Sequence, residues 1–132
     1  MTYYLDTNII SYYIKGSNSV EKRISELIWS GHTIKIPIIA YYEIRRGFLV
    51  IDAVKKLHVF EDLATLFGIQ EMTANTFIIA SEIYSDLAKK GQPIEDADIF
   101  IGASTLENNA ILLTNNAGHL GRINNLKIEV IS

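Results

Sequence analysis

The sequence predicts an α/β fold with a mostly parallel central sheet of about five strands, covered by helices on both faces. Apolar runs of strand length recur along the 132 residues, and segments with the apolar spacing of helices separate them. Such alternation is typical of parallel sheets, because a parallel pair needs a long crossover and a helix supplies it. Helices on both faces then bury the strands completely.

The first strand is predicted at residues 2–5, where a short apolar run ends at an acid. The first helix is predicted over residues 9–14 and ends at Gly16, since glycine favours the backbone conformation that closes helices. A second helix follows directly. Asn18 is its predicted N-cap, because Glu21 stands three residues later, and the helix ends before Gly31.

The middle of the chain begins with a strand, predicted from the alternation of Ile34, Ile36 and Ile38. Residues 40–67 then have helical apolar spacing, with a break at residues 50–52 that predicts two helices. The remaining predicted elements are a weak strand at 68–71, a helix at 73–90, a helix at 96–108, a strand at 110–114, a polar loop at 115–121 and a strand at 127–131.

Composition is that of an ordinary globular chain, with 48% hydrophobic and 20% charged residues, and predicts one domain over residues 1–132. The absence of cysteine excludes a thiolate nucleophile and a cysteine zinc site, and it favours a reducing cytoplasm. No apolar run approaches the ~20 residues of a membrane-spanning helix, and the first residues do not resemble a signal peptide.

The formal net charge is −3, so overall charge would not attract a nucleic acid. A nucleic-acid partner would need a local basic path on the surface. Arg45 and Arg46 are candidates for that path, although adjacent exposed basic residues are commonly just solvated.

Three carboxylates stand out, because each lies beside an apolar element. Asp6 follows the first strand, Glu43 lies within an apolar stretch, and Asp98 precedes another. An isolated charge in such surroundings is costly to desolvate, and a bound cation would offset that cost. Three carboxylates at one edge of a sheet, with water completing the shell, suit a hard divalent ion such as Mg²⁺ or Mn²⁺.

Each of these residues also has a purely structural interpretation. Asp6 can cap the following helix, although Asn8 is the predicted cap there, and Glu43 can pair with Arg46 on a helix surface. Asp96 fits the N-cap of the helix whose first turn holds Asp98. The three histidines, which have no metal-ligand spacing, are predicted to be surface or structural residues: His32, His58 and His119.

Four segments in order resemble the motifs of PIN-domain ribonucleases, and specifically of VapC-type toxins of bacterial toxin–antitoxin pairs. The first is LDTN at residues 5–8, and the second is YEIRRG at 42–47. The third is KGQPI at 90–94 leading into DIFIGA at 98–103, and the fourth is LTNN at 113–116. The resemblance covers nearly the whole chain, which is identified as a member of this family.

The resemblance implies roles for particular residues. Asp6, Glu43 and Asp98 would be the catalytic acids that hold Mg²⁺ or Mn²⁺. Asn116 would be the fourth catalytic residue, at the place where many relatives have a fourth aspartate. An amide there removes one negative charge. Side chains implied to support the acids and their water are Thr7, Asn8, Asp96 and Thr114, and those implied to contact RNA or an antitoxin are Arg45 and Arg46.

The implied function is metal-dependent hydrolysis of phosphodiester bonds in RNA by a cytoplasmic toxin. The implied partners are an RNA substrate, a VapB-type antitoxin and a second copy of the chain in a homodimer. Two other classes begin similarly: a haloacid-dehalogenase-like phosphatase, whose motif wants an aspartate where Asn8 stands, and a receiver domain, whose lysine is missing near Thr114. An inactive PIN scaffold that only binds a partner is the remaining alternative.

Overall fold

The computed structural model describes residues 1–131, which form five strands and seven helices. In chain order these are β1 Thr2–Leu5, α1 Thr7–Ile14, α2 Asn18–Trp29, β2 Thr33–Pro37, α3 Ile38–Val50, α4 Val54–Phe67, β3 Ile69–Gln70, α5 Ala74–Lys89, α6 Asp96–Glu107, β4 Ile111–Thr114, α7 Ala117–Leu120 and β5 Ile128–Val130. No helix within residues 1–131 is long and apolar enough to cross a membrane.

The five strands form one sheet in the order β3-β2-β1-β4-β5, and every neighbouring pair is parallel. Strand β1 lies at the centre, where Tyr3 pairs with Ile34 of β2 and with Ile111 of β4. The predicted α/β class and five-stranded parallel sheet are therefore confirmed. Because all strands run the same way, the residues that follow β1 and β4 meet at one edge of the sheet.

Helices cover both faces of the sheet, as predicted. In β1 the consecutive residues Tyr3, Tyr4 and Leu5 are all buried, and in β4 so are Leu112 and Leu113. Successive side chains of a strand point to opposite faces, so burial of neighbours requires a covering layer on each side. The central strands are therefore packed between two layers of helices.

The predicted boundaries lie within about two residues of those observed, and two differences have a clear physical reason. The predicted alternation carried the second strand to Ile38, but Ile38 is the first residue of α3, because the chain turns from strand to helix at Pro37. The predicted polar loop at 115–121 contains α7, a helix of four residues whose N-cap is Asn116. A helix of four residues is too short to show helical apolar spacing in the sequence, and its N-cap stabilises it.

Three predicted helix caps are wrong, and in each case the cap lies one or two residues earlier. Asp6, not Asn8, caps α1, since its Oδ1 accepts a hydrogen bond from the Thr7 backbone N–H at 2.9 Å. The N-cap position of α2 is Ser17 rather than Asn18. The N-cap position of α6 is Glu95 rather than Asp96, which makes Asp96 the first residue of that helix.

Helix α6 lies close to its neighbours because of Gly102. A Cβ atom at Gly102 would stand only 2.5 Å from Cδ1 of Ile123, nearer than real side chains approach. Glycine therefore allows α6 to pack against the segment that follows α7. This packing sets the position of the first turn of α6, where Asp98 lies.

Glu107, at the last turn of α6, ties that helix to the start of α5. Its carboxylate accepts hydrogen bonds from Thr76 Oγ1 at 2.5 Å and from Asn75 Nδ2 at 2.8 Å. The Thr76 side chain is fully buried.

We expect Glu107→Ala to lower the free energy of unfolding by about 1–3 kcal/mol, because it removes the acceptor of a buried hydroxyl. Urea denaturation followed by circular dichroism measures the loss. The control is Glu82→Ala on the exposed face of α5. An equal effect of the two substitutions would contradict the role assigned to Glu107.

Candidate active site

The candidate site lies at the carboxyl edge of the sheet, between β1 and β4. Asp6 directly follows β1, and its backbone N–H donates to the carbonyl of Leu113 in β4 at 2.9 Å. The parallel ladder thereby continues one residue past the strand and places Asp6 beside Thr114. In open parallel sheets, the crevice beyond these strand ends is the usual location of function.

A polar cleft of about 280 Å³ opens at this edge. It brings together the four residues predicted to be catalytic, although they are up to 110 positions apart in the chain. Its lining residues are Asp6, Thr7, Asn8, Glu43, Glu95, Asp98, Asn116 and His119. The cleft therefore contains four carboxylates and a single imidazole.

Asp6 is the most buried of these acids, with 4% of its surface exposed. Its Oδ1 accepts from the Thr7 backbone N–H at 2.9 Å, and its Oδ2 accepts from Thr114 Oγ1 at 2.7 Å. The carboxylate is thus held in one orientation from two sides. Each oxygen accepts one hydrogen bond and keeps a further lone pair, which is available to a ligand in the cleft.

Glu43 reaches the cleft from the second turn of α3. The Thr7 hydroxyl donates to its Oε1 at 2.6 Å, which joins α1 to α3 at the site. Its other oxygen, Oε2, stands 3.7 Å from Nη2 of Arg46. The predicted pairing of Glu43 with Arg46 is therefore present, and Glu43 lines the cleft at the same time.

The segment after β4 is fixed by a chain of hydrogen bonds from its own residues. The Asn116 backbone N–H donates to Thr114 Oγ1 at 2.9 Å, and that hydroxyl in turn donates to Asp6. Asn115 accepts from Asn8 Nδ2 at 3.3 Å and donates to the Tyr12 hydroxyl at 2.8 Å. These bonds anchor the segment to α1 and direct Asn116 into the cleft.

Asp98 lines the cleft from the first turn of α6, whereas Asp96 is exposed and is not among the lining residues. Because the two are separated by one residue on one helix, their side chains point in different directions. Thr114 does not line the cleft, but its hydroxyl donates a hydrogen bond to Oδ2 of Asp6.

Glu95 and His119 also line the cleft. No role was predicted for Glu95, and His119 was predicted to be a surface or structural residue. Glu95 precedes Asp98 by three residues, and His119 follows Asn116 by three, which is the spacing of neighbours on one helix face. Applied to the motif residues, that spacing would have found both. Glu95 also restores the negative charge that an amide at Asn116 removes.

Arg45 and Arg46 do not point freely into solvent. Arg45 Nη1 lies 3.4 Å from Oε1 of Glu61 in α4, and that carboxylate also accepts from the Tyr41 hydroxyl at 2.9 Å. Arg46 stands beside Glu43 and over the ring of Tyr42, 4.9 Å from its centre. Arg45 therefore joins α3 to α4, and Arg46 is the nearer of the two to the cleft.

Burial and mutual repulsion raise the pKa of two acids in the cleft. For Asp6, desolvation raises the pKa and the charge of Glu43 adds to this, while the hydrogen bonds from Thr114 and Thr7 oppose it. For Asp98, desolvation again raises the pKa, with further contributions from the charges of Asp6, Glu95 and Glu43. His119 acts in the opposite direction on Asp98.

These shifts predict that the metal-free protein loses stability as the pH rises. A carboxyl whose pKa is higher in the folded state binds more protons there than in the unfolded chain, so raising the pH through that range lowers the free energy of unfolding. The range starts at the ordinary aspartate pKa of about 3.9 and extends above it.

Urea denaturation in the presence of a chelator, at several pH values between about 4 and 7, measures this dependence. Asp6→Asn should flatten the curve relative to the wild type, because the asparagine does not titrate. A stability difference between the two proteins that stays constant with pH would contradict the raised pKa of Asp6.

The cleft fits a hard divalent cation by the chemistry of its donors. Carboxylate and amide oxygens suit Mg²⁺ and Mn²⁺, and the repulsion among Asp6, Glu43 and Asp98 is charge that a cation would neutralise. Within residues 1–131, no three histidine, aspartate or glutamate side chains are arranged to hold an ion on their own. Mg²⁺ needs no such cage, since it keeps several waters and takes one or two carboxylates directly.

The family model of the PIN domain matches residues 3–125. The chain belongs to the PIN domain family. Its relatives include Ribonuclease VapC2 of Rickettsia felis, which is 30% identical over 98% of this chain and 97% of the relative. Another is Ribonuclease VapC1 of Methanocaldococcus jannaschii, 29% identical over 96% of this chain and 84% of the relative.

A chain with the same fold is present in a solved toxin–antitoxin structure. The crystal structure of VapBC2 from Rickettsia felis bound to a DNA fragment from their promoter contains a chain that superposes with a TM-score of 0.88 at 30% identity, covering 98% of both chains. The resemblance to VapC-type PIN domains is thereby confirmed. Family membership also excludes the haloacid-dehalogenase-like phosphatase and the receiver domain.

Proposed function

We propose that the protein is a metal-dependent endoribonuclease and the toxin of a toxin–antitoxin pair. The observation that carries the proposal is the buried, doubly hydrogen-bonded Asp6 in one cleft with Glu43 and Asp98, at the carboxyl edge of a PIN-domain sheet. The names of its relatives, which are called ribonucleases, support the reaction. The VapBC complexes among its structural relatives support the toxin role.

Asp6, Glu43 and Asp98 would hold the cation, which is Mg²⁺ or Mn²⁺. When bound, it supplies a water of lowered pKa and neutralises charge that develops on the phosphate. The residues around the acids determine how they are presented. Thr114 and the Thr7 backbone orient Asp6, and the Thr7 hydroxyl orients Glu43.

Hydrolysis at this site needs no covalent enzyme intermediate. Water adds to phosphorus, the bond from phosphorus to the leaving oxygen breaks, and that oxygen takes up a proton. The cleft offers no serine or cysteine among its lining residues to act as a nucleophile. Asn116 has an amide N–H that can donate to a phosphate oxygen, and such a donor positions substrate without adding negative charge.

A protein antitoxin is the partner we propose, with a second copy of the chain as a further partner. The VapBC complexes among the structural relatives support the antitoxin. Apolar side chains at the end of the α3–α4 hairpin also support a protein partner, since Leu49, Val50 and Ile51 are between 53% and 81% exposed. Contiguous apolar surface of this kind usually marks a contact with another protein.

Cleavage of RNA by the purified protein tests the proposal. We expect labelled RNA to be cut when Mg²⁺ or Mn²⁺ is present, and cutting to stop when a chelator is added in excess. An inactive scaffold would leave the RNA intact under both conditions. For the partner, the product of a short neighbouring reading frame that encodes a DNA-binding protein should suppress the cleavage.

A further inference from the structure

The cleft contains one side chain of a different chemical kind, the imidazole of His119. Its Nδ1 lies 3.6 Å from Oδ2 of Asp98, and all the other lining side chains offer oxygen or amide groups. The remaining two histidines lie elsewhere: His32 packs edge-on against Tyr3, and His58 is exposed on α4. His119 is thus the only histidine that the fold brings to the acids.

The contact between His119 and Asp98 is not what holds the ring. A separation of 3.6 Å exceeds the length of a hydrogen bond, and surface ion pairs of this kind contribute little. The ring is instead placed by α7. Asn116, the N-cap of α7, accepts from the His119 backbone N–H through Oδ1 at 3.4 Å.

The side-chain amide of the same cap also contacts the ring. Because Oδ1 of Asn116 faces the backbone N–H, its Nδ2 is the atom that stands 3.4 Å from His119 Nδ1. In a neutral imidazole one of the two ring nitrogens has no proton, and which one it is depends on the tautomer. A neutral imidazole with a free lone pair is a metal ligand. About half of the side chain is exposed, so the ring has room to turn towards an ion.

We propose that His119 is a nitrogen donor to the divalent ion in the cleft, and that it makes the site favour first-row transition ions over Mg²⁺. The inference rests on the proposed metal-dependent function and adds a selectivity to it. Imidazole binds transition ions well and Mg²⁺ poorly, whereas carboxylates serve both. A cleft with carboxylates alone would have a weaker preference.

Binding of Co²⁺ and of Mg²⁺ to the metal-free protein, measured by titration calorimetry, tests the inference. The measurements are made at a pH of about 8, where an ordinary imidazole is neutral. We expect Co²⁺ to bind more tightly than Mg²⁺ to the wild type. His119→Gln should lower the affinity for Co²⁺ by about tenfold or more and change that for Mg²⁺ much less.

The matched control is His58→Gln, which removes an exposed imidazole that does not line the cleft and should leave both affinities unchanged. The visible absorption of bound Co²⁺ gives a second measurement, because its bands depend on the donor atoms and should change in His119→Gln alone. Melting curves of the variants confirm that each is folded.

The outcomes separate this inference from the proposed function. If His119→Gln weakens both ions equally, or neither, the selectivity assigned to His119 is wrong while the metal site stands. If the wild type binds neither ion, both the proposed metal-dependent function and the selectivity assigned to His119 are wrong.

Discussion

Asp6→Asn is expected to lower the rate of RNA cleavage by about 100-fold or more, which is the scale of losing one group that stabilises transition-state charge. Asp6 is the acid at the centre of the edge, buried between β1 and β4, and its carboxylate faces the cleft. The substitution keeps the shape of the side chain and its acceptor for the Thr7 N–H, and asparagine is also a good N-cap. At the other oxygen it replaces the acceptor for Thr114 Oγ1 with a donor. We therefore expect the loss of activity to come mainly from the missing carboxylate charge.

The same substitution should raise the melting temperature of the metal-free protein at neutral pH. Ionised Asp6 is desolvated and repelled by Glu43, both of which raise its pKa and destabilise the folded state. An amide removes that cost. In the presence of Mg²⁺ the advantage should shrink, because the ion stabilises the wild type by binding only its folded state.

Cleavage rates and melting curves with and without Mg²⁺ check both effects. The control is Asp62→Asn on the exposed side of α4, which also removes one carboxylate and should leave the cleavage rate unchanged. Wild-type cleavage by Asp6→Asn would show that the reaction does not depend on this cleft. Loss of cleavage together with loss of folding would mean that Asp6 acts through structure alone.

The fold was predictable because its strands and long helices have strong local patterns. The consecutive apolar residues of β1 and β4 predict strands buried on both faces, and glycines after the helices mark their ends. Boundaries were less predictable. Asn8, Asn18 and Asp96 are good capping residues by type, but the cap is decided by where the backbone leaves the strand or loop, and it lies earlier in each case.

The site was predictable where a residue lies in a motif and not where it follows from packing. The sequence picked out Asp6, Glu43 and Asp98, and the structure places them in one cleft. No role was predicted for Glu95. His119 was assigned to the surface or to a structural role, because α7 is too short to show a helical period. Their roles in the reaction remain predictions, as do those of the motif acids.

Asp98 and Asp96 provide the sharpest test of that motif assignment, because they are two residues apart on one helix. A rotation of ~200° separates their side chains, and only Asp98 lines the cleft. Asp98→Asn should lower the cleavage rate by about 100-fold or more, since it would remove a proposed metal ligand and a charge. Asp96→Asn should retain most of the activity, because Asp96 faces solvent.

Stability distinguishes the pair as well. Glu95 holds the N-cap position of α6, so Asp96→Ala removes only a favourable charge from the first turn and should cost about 0.3–1 kcal/mol. A cap residue would have cost about 0.5–2 kcal/mol. Asp98→Asn also loses a first-turn charge, but it relieves repulsion from Asp6, Glu95 and Glu43, so its melting temperature without metal should be at least that of the wild type.

Cleavage rates and melting curves of Asp98→Asn, Asp96→Asn and Asp96→Ala decide between the two acids. An inactive Asp96→Asn beside an active Asp98→Asn would reverse the assignment and would require α6 to be turned by half a revolution relative to the sheet. Loss of activity in both would show that the first turn of α6 acts as a unit, with its charge rather than one ligand serving the reaction. Loss of cleavage in Asp98→Asn alone is the result that agrees with a cleft lined by one face of α6.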